Sequence, residues 1–134
     1  MTITSTSSTK NLVDYDAIIK VIQYYIEGSS AGKSELMRPG FHDNASIVGY
    51  AGGNLLFDPI QTLYDWIDGN GPAPDIEPQF ASIEILESIA VVRLEVKGWS
   101  GKLAGSDVHM SDIFNLIKIG EEWKITQKIF HWHK

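Results

Sequence analysis

Ser111-Asp-Ile-Phe-Asn-Leu-Ile-Lys-Ile-Gly120-Glu-Glu-Trp-Lys-Ile-Thr-Gln-Lys-Ile-Phe130 is the stretch that decides the fold. Two runs rich in Ile, Leu and Phe flank Gly120-Glu121, and glycine first in a two-residue loop suits a tight hairpin turn. With that turn, Ile119 opposes Glu122 and Leu116 opposes Ile125. Continued regularly, Phe114 opposes Gln127, Asp112 opposes Ile129 and Met110 opposes His131. Strand alternation then puts Met110, Asp112, Phe114, Leu116, Trp123, Ile125, Gln127, Ile129 and His131 on one face. The other face carries His109, Ser111, Ile113, Asn115, Ile117, Lys124, Thr126, Lys128, Phe130 and Trp132. The first face is the more apolar and is expected to look inward.

Working outward, Ala90 to Trp99 alternates cleanly, with Ala90, Val92, Leu94 and Val96 set against Val91, Arg93, Glu95 and Lys97. One of its faces is dry and the other wetted. Gln79 to Glu87 reads as a strand before it. Gly69 to Pro74 ends a helix whose apolar face is Ile60, Leu63, Tyr64 and Ile67, with Asp58 as cap, Pro59 in the first position and Gln61 in a capping box. Ser46 to Tyr50 and Asn54 to Phe57 read as a small hairpin around Ala51-Gly52-Gly53. Lys33 to Arg38 reads as a short helix stopped by Pro39-Gly40. Ile18, Ile22, Tyr25 and Ile26 recur at helical spacing, with Asp14 as N-cap and Gly28 as the closing residue. Residues 1–10 read as a flexible polar tail and 11–134 as a single domain.

Composition narrows the function classes. The chain has 134 residues and a net charge of -6. Without a basic cluster it is a poor partner for nucleic acid or an anionic membrane surface. It has no cysteine, which removes disulfides, thiolate catalysis and Cys-ligated zinc. No apolar run reaches the length of a membrane span, and the N-terminus lacks a signal peptide's pattern, so the cytoplasm is the expected compartment.

The order helix, short helix, small hairpin, helix and four long strands, with Phe41-His-Asp-Asn-Ala45 after the second helix, resembles the nuclear transport factor 2-like superfamily. Asp112 to Lys118 and Trp123 to His131 resemble its lumazine-binding branch, near the SnoaL-like polyketide cyclases. The resemblance spans about residues 12 to 133. It implies an α+β, cone-shaped fold, with three N-terminal helices on a strongly curved, mainly antiparallel sheet enclosing a pocket. It also implies proton transfer or hydration on an apolar or aromatic substrate. Proteins of this fold dimerise through the sheet's outer face, where Ile113, Ile117, Phe130 and Trp132 are expected to make an apolar patch.

The inward face supplies the candidate site. Asp112 in an apolar cavity suits a general base, because desolvation disfavours the charged carboxylate. His131 is its diagonal neighbour and candidate partner, and Gln127 is placed to hold a carbonyl. Tyr25, Trp66, Phe114 and Trp123 are the candidate ligand-binding wall. His131 and His133 share a face without a third ligand nearby in sequence, so no metal site is expected. His42-Asp43 reads as a fixture of the chain before a strand, and Gly52-Gly53 lacks the context of a phosphate cradle. No residue calls for a cofactor. Three functions remain open: an enzyme with Asp112 as base, a non-catalytic domain for an aromatic or heterocyclic ligand, and a dimeric interaction module.

Overall fold

The computed structural model describes residues 5–133. Helices α1 (Ser5–Ala31), α2 (Ser34–Met37) and α3 (Gln61–Asn70) pack against a sheet of β1 (Phe41–Ala51), β2 (Asn54–Pro59), β3 (Glu77–Leu86), β4 (Ile89–Gly101), β5 (Gly105–Ile119) and β6 (Glu122–His133). The strand order is β2-β1-β6-β5-β4-β3. Among the described residues only the β1–β6 pairing is parallel. The sheet curls around the helices without closing, as the sequence reading expected of an α+β cone.

Each element forms for a local reason, and three of those reasons differ from the sequence reading. Helix α1 already runs from Ser5, so Asp14 lies inside it and caps nothing. Met1 to Thr4, the rest of the expected tail, lie outside the described residues. Asp14 is buried instead, accepting hydrogen bonds from Lys118 Nζ and Trp123 Nε1, both at 3.2 Å. Gly28 does not end α1, which continues to Ala31. Its role is steric: a Cβ there would lie 2.9 Å from Met37 Cβ, so glycine lets α1 and α2 touch. Asp58 belongs to β2, and α3 starts after Ile60 with no side-chain cap. The Asp58 carboxylate still accepts a bond from Thr62 Oγ1 at 3.1 Å, which ties β2 to the first turn of α3.

The core lies between the helices and the concave side of the sheet. Ile18, Ile22 and Tyr25 of α1 meet Val92, Leu94, Phe114, Leu116 and Ile125 of the strands, all buried. Burying each such side chain contributes about 1.5–3 kcal/mol relative to leaving it in water.

The decisive departure is in the last hairpin. Ile119 opposes Glu122 and Leu116 opposes Ile125, as expected. Beyond that the register shifts: Asn115 opposes Gln127, Phe114 opposes Lys128, Asp112 opposes Phe130 and Met110 opposes Trp132. Thr126 is the extra residue of a β-bulge, and its Oγ1 donates to Asn115 O at 3.1 Å. One extra residue in a period-two strand moves every later side chain to the opposite face. Lys128 and Phe130 are therefore buried, while Ile129 and His131 are exposed.

Candidate functional site: a lysine in an apolar cavity

A cavity lies between α1, α3 and the ends of β1, β4, β5 and β6. It leaves about 80 Å³ open to the centres of water-sized spheres. By that measure a water takes roughly 10–15 Å³, so the space suits a compact molecule. Its wall includes Tyr25, Trp66, Trp99, Phe130, Trp132 and Lys128. The three indoles interlock edge to face, with Trp66 5.9 Å from Trp99 and 6.2 Å from Trp132 between ring centroids. The buried Nε1–H of Trp99 has no hydrogen-bond partner among the described residues.

Among the described residues Lys128 is the one charged side chain in that wall, and it is 2% exposed. Its Nζ lies 3.1 Å from Asp112 Oδ1. The pair is ionic by distance, but among the described residues Oδ1 accepts no aligned hydrogen bond. The Tyr25 hydroxyl donates to Asp112 Oδ2 at 3.0 Å. Burial, followed by the neighbouring Asp112 charge, pushes the Tyr25 hydroxyl well above its ordinary pKa, so it stays protonated as the donor. Lys128 Nζ also sits 4.8 Å from the Phe130 ring centre and 5.4 Å from that of Tyr25, where the ring faces attract a cation. Asp112 does not line the cavity. It stands behind Lys128, between the lysine and Tyr25.

Of the sequence-derived set, the structure places Tyr25 and Trp66 in the cavity wall and Asp112 and Phe114 behind it against Tyr25, and it sends the others elsewhere. His131 is on the outer face, because the bulge reverses its side. Gln127 is there for the same reason and donates to Ser46 Oγ at 3.1 Å. Phe114 is fully buried behind the cavity, its ring 5.1 Å from that of Tyr25. Trp123 is buried at the other end of the hairpin, against Asp14. Lys128, Trp99, Phe130 and Trp132 were missed. A signal for three of them exists: apolar residues occupy odd positions at Trp123 and Ile125 and even ones at Phe130 and Trp132. That change of parity marks a bulge between them.

Away from the cavity, His42 Nδ1 accepts the Asn44 amide at 3.0 Å, which fits a role in fixing the start of β1. On the outer face Glu95, His109 and His133 each offer a metal-ligand atom, all within 4.8 Å of one another.

A family model described as Putative lumazine-binding matches residues 13–131. The chain belongs to that family, within the nuclear transport factor 2-like superfamily. Among curated relatives of this lumazine-binding family chain is the aldolase FrzH of Cladobotryum sp., 29% identical over 118 residues, which cover 88% of this chain and 90% of the relative. Among solved structures, an NTF2-like protein of unknown function from Shewanella baltica OS155 has a TM-score of 0.83 and 34% identity, over 92% of this chain and 96% of that one. A second, from Methylobacillus flagellatus KT, has a TM-score of 0.82 and 36% identity, over 90% and 93%.

Proposed function

We propose that this chain is an enzyme for a compact, mostly apolar carbonyl compound, and that Lys128 Nζ is its reacting group. The observation that carries the reading is Lys128 in an otherwise apolar wall, with Asp112 3.1 Å behind it and Tyr25 holding the second carboxylate oxygen. A buried pair is often structural only. This one differs in that its lysine is part of a cavity wall, which also includes Trp99.

The chemistry balances within that set. Lys128 passes one proton to Asp112 Oδ1, and the neutral amine adds to the substrate carbonyl carbon. The carbinolamine oxygen takes the proton back and leaves as water with the second amine proton. The resulting iminium nitrogen carries the charge that the ammonium carried, still opposite the carboxylate. An iminium withdraws electrons from the neighbouring carbon, which allows proton transfer there or the making and breaking of a carbon–carbon bond. That class includes aldol chemistry, and the relation to an aldolase supports it. In this reading Asp112 is the proton shuttle rather than the direct base.

The test is borohydride trapping. Wild-type protein is incubated with a panel of small aldehydes and ketones, reduced, and digested for peptide mapping. An alkyl adduct on Lys128, absent from Lys128→Met, is the expected result. Adducts confined to surface lysines would overturn the covalent reading. In that event the aromatic wall favours the second one, a non-catalytic domain for an aromatic or heterocyclic ligand. Pterins and flavins that raise the unfolding midpoint without turnover would then identify it.

The same reading extends to assembly and compartment. Ile89, Val91, Ile113, Ile117 and Ile129 are exposed on the outer face. Ile129 takes the place expected for Phe130 and Trp132, which the bulge turns inward. This patch fits a symmetric homodimer through the sheet, and a monomeric sedimentation profile at micromolar concentration would remove that assignment. Among the described residues no helix is long and apolar enough to cross a membrane. The cytoplasm is the compartment proposed.

A further inference from the structure

Past the bulge, the outer face of β4, β5 and β6 gathers four metal-ligating side chains. Alternation puts Glu95, the pair His109 and Ser111, and the pair His131 and His133 on one surface. Pairing then brings Glu95 opposite Ser111, Ser111 opposite His131, and His109 opposite His133. Glu95 Oε1 lies 2.7 Å from His109 Nε2 and accepts from Ser111 Oγ at 2.6 Å. Ser111 Oγ lies 2.7 Å from His133 Nε2. The His109 and His133 rings stack at 4.4 Å, and His131 meets His133 edge-on at 4.7 Å.

We propose that Glu95, His109 and His133 form a binding site for a borderline divalent transition metal of the zinc class, with the fourth position open beside His131. Imidazole and carboxylate are the donors such ions take. A tetrahedral ion with bonds of about 2.0–2.1 Å needs ligand atoms about 3.4 Å apart. The three present atoms already lie within 4.8 Å of one another, so binding requires only side-chain rotations that displace the Ser111 hydroxyl. The sheet supplies the rigidity, since each ligand comes from a different strand of one hydrogen-bonded ladder. A bound ion therefore clamps β4, β5 and β6 together on the face opposite the cavity. The nitrogen donors select against magnesium and calcium, which take oxygen ligands.

The test is calorimetric titration of chelator-treated full-length protein with Zn²⁺, alongside Mg²⁺ as control. The expected result is one Zn²⁺ per chain, a raised unfolding midpoint and no Mg²⁺ binding. Glu95→Gln, His109→Ala and His133→Ala are each expected to weaken Zn²⁺ by about tenfold or more, and His131→Ala by less. Circular dichroism checks that each variant is folded. Wild-type protein that binds no Zn²⁺ would overturn the site. So would unchanged affinity in a folded His109→Ala/His133→Ala double variant, which would place the ion elsewhere.

Discussion

Asp112 and Glu95 are carboxylates on neighbouring strands, one on each face of the same sheet. Asp112 is fully buried, with a lysine and a tyrosine for company. Glu95 keeps 15% of its side chain exposed and is surrounded by Arg93, His109 and Ser111. Burial pushes the Glu95 carboxyl up, but hydrogen bonds from Ser111, His109 and Arg93 outweigh it and bring its pKa from 4.5 to about 2. The inner carboxylate thus depends on one buried cation, and the outer one on several donors that water also reaches. Removing one partner should therefore matter far more inside than outside.

The largest expected effect follows directly. Asp112→Ala leaves the Lys128 ammonium buried without a counter-charge. Breaking such a pair costs about 3–5 kcal/mol, read by urea unfolding. An Asp112→Leu/Lys128→Met double variant, with neither charge to bury, is expected to recover most of that loss. If Asp112→Ala alone cost less than about 1 kcal/mol, Lys128 would be reaching water, and the contrast between the faces would fail.

The outer face should respond to pH instead. The folded pKa of Glu95 is depressed, so its ionised form stabilises the fold above the unfolded value near 4.5 and loses that contribution as pH falls toward 2. Wild type is expected to exceed Glu95→Gln in unfolding midpoint at pH 6, with the gap closing across that window. A gap that is constant from pH 6 to about pH 2 would mean that the network acts through packing rather than charge.

The smallest effect belongs to His131. As an exposed side chain on the outer face, its replacement by alanine should change stability by less than about 0.5 kcal/mol and leave any reaction in the cavity unchanged. A loss of turnover in His131→Ala would restore the histidine to the site.

These contrasts also explain what the sequence made legible. The order of elements, the Gly120-Glu121 turn and the inward side of Asp112, Phe114 and Leu116 were readable, because β5 alternates without interruption from Met110 to Leu116. Tyr25 and Trp66 were readable as inner-face residues of amphipathic helices. The assignments on β6 failed past Ile125, since a bulge adds one residue without changing composition. Ile129 also keeps an apolar side chain on the wrong parity, which masks the shift. Asp14 illustrates another limit: an acidic residue early in a predicted helix looks like a cap, and only tertiary contact shows it answering Lys118 and Trp123.

Covalent footprinting of the folded protein tests the bulge most directly. An amine-acylating reagent and a histidine-specific reagent are applied under native conditions, and labelled sites are mapped by mass spectrometry. The account predicts that an acylating reagent too bulky to enter the cavity labels Lys128 only after unfolding, while Lys124 and His131 react in the native state. Native labelling of Lys128 together with protection of His131 is what an unbulged register requires, and would contradict the account.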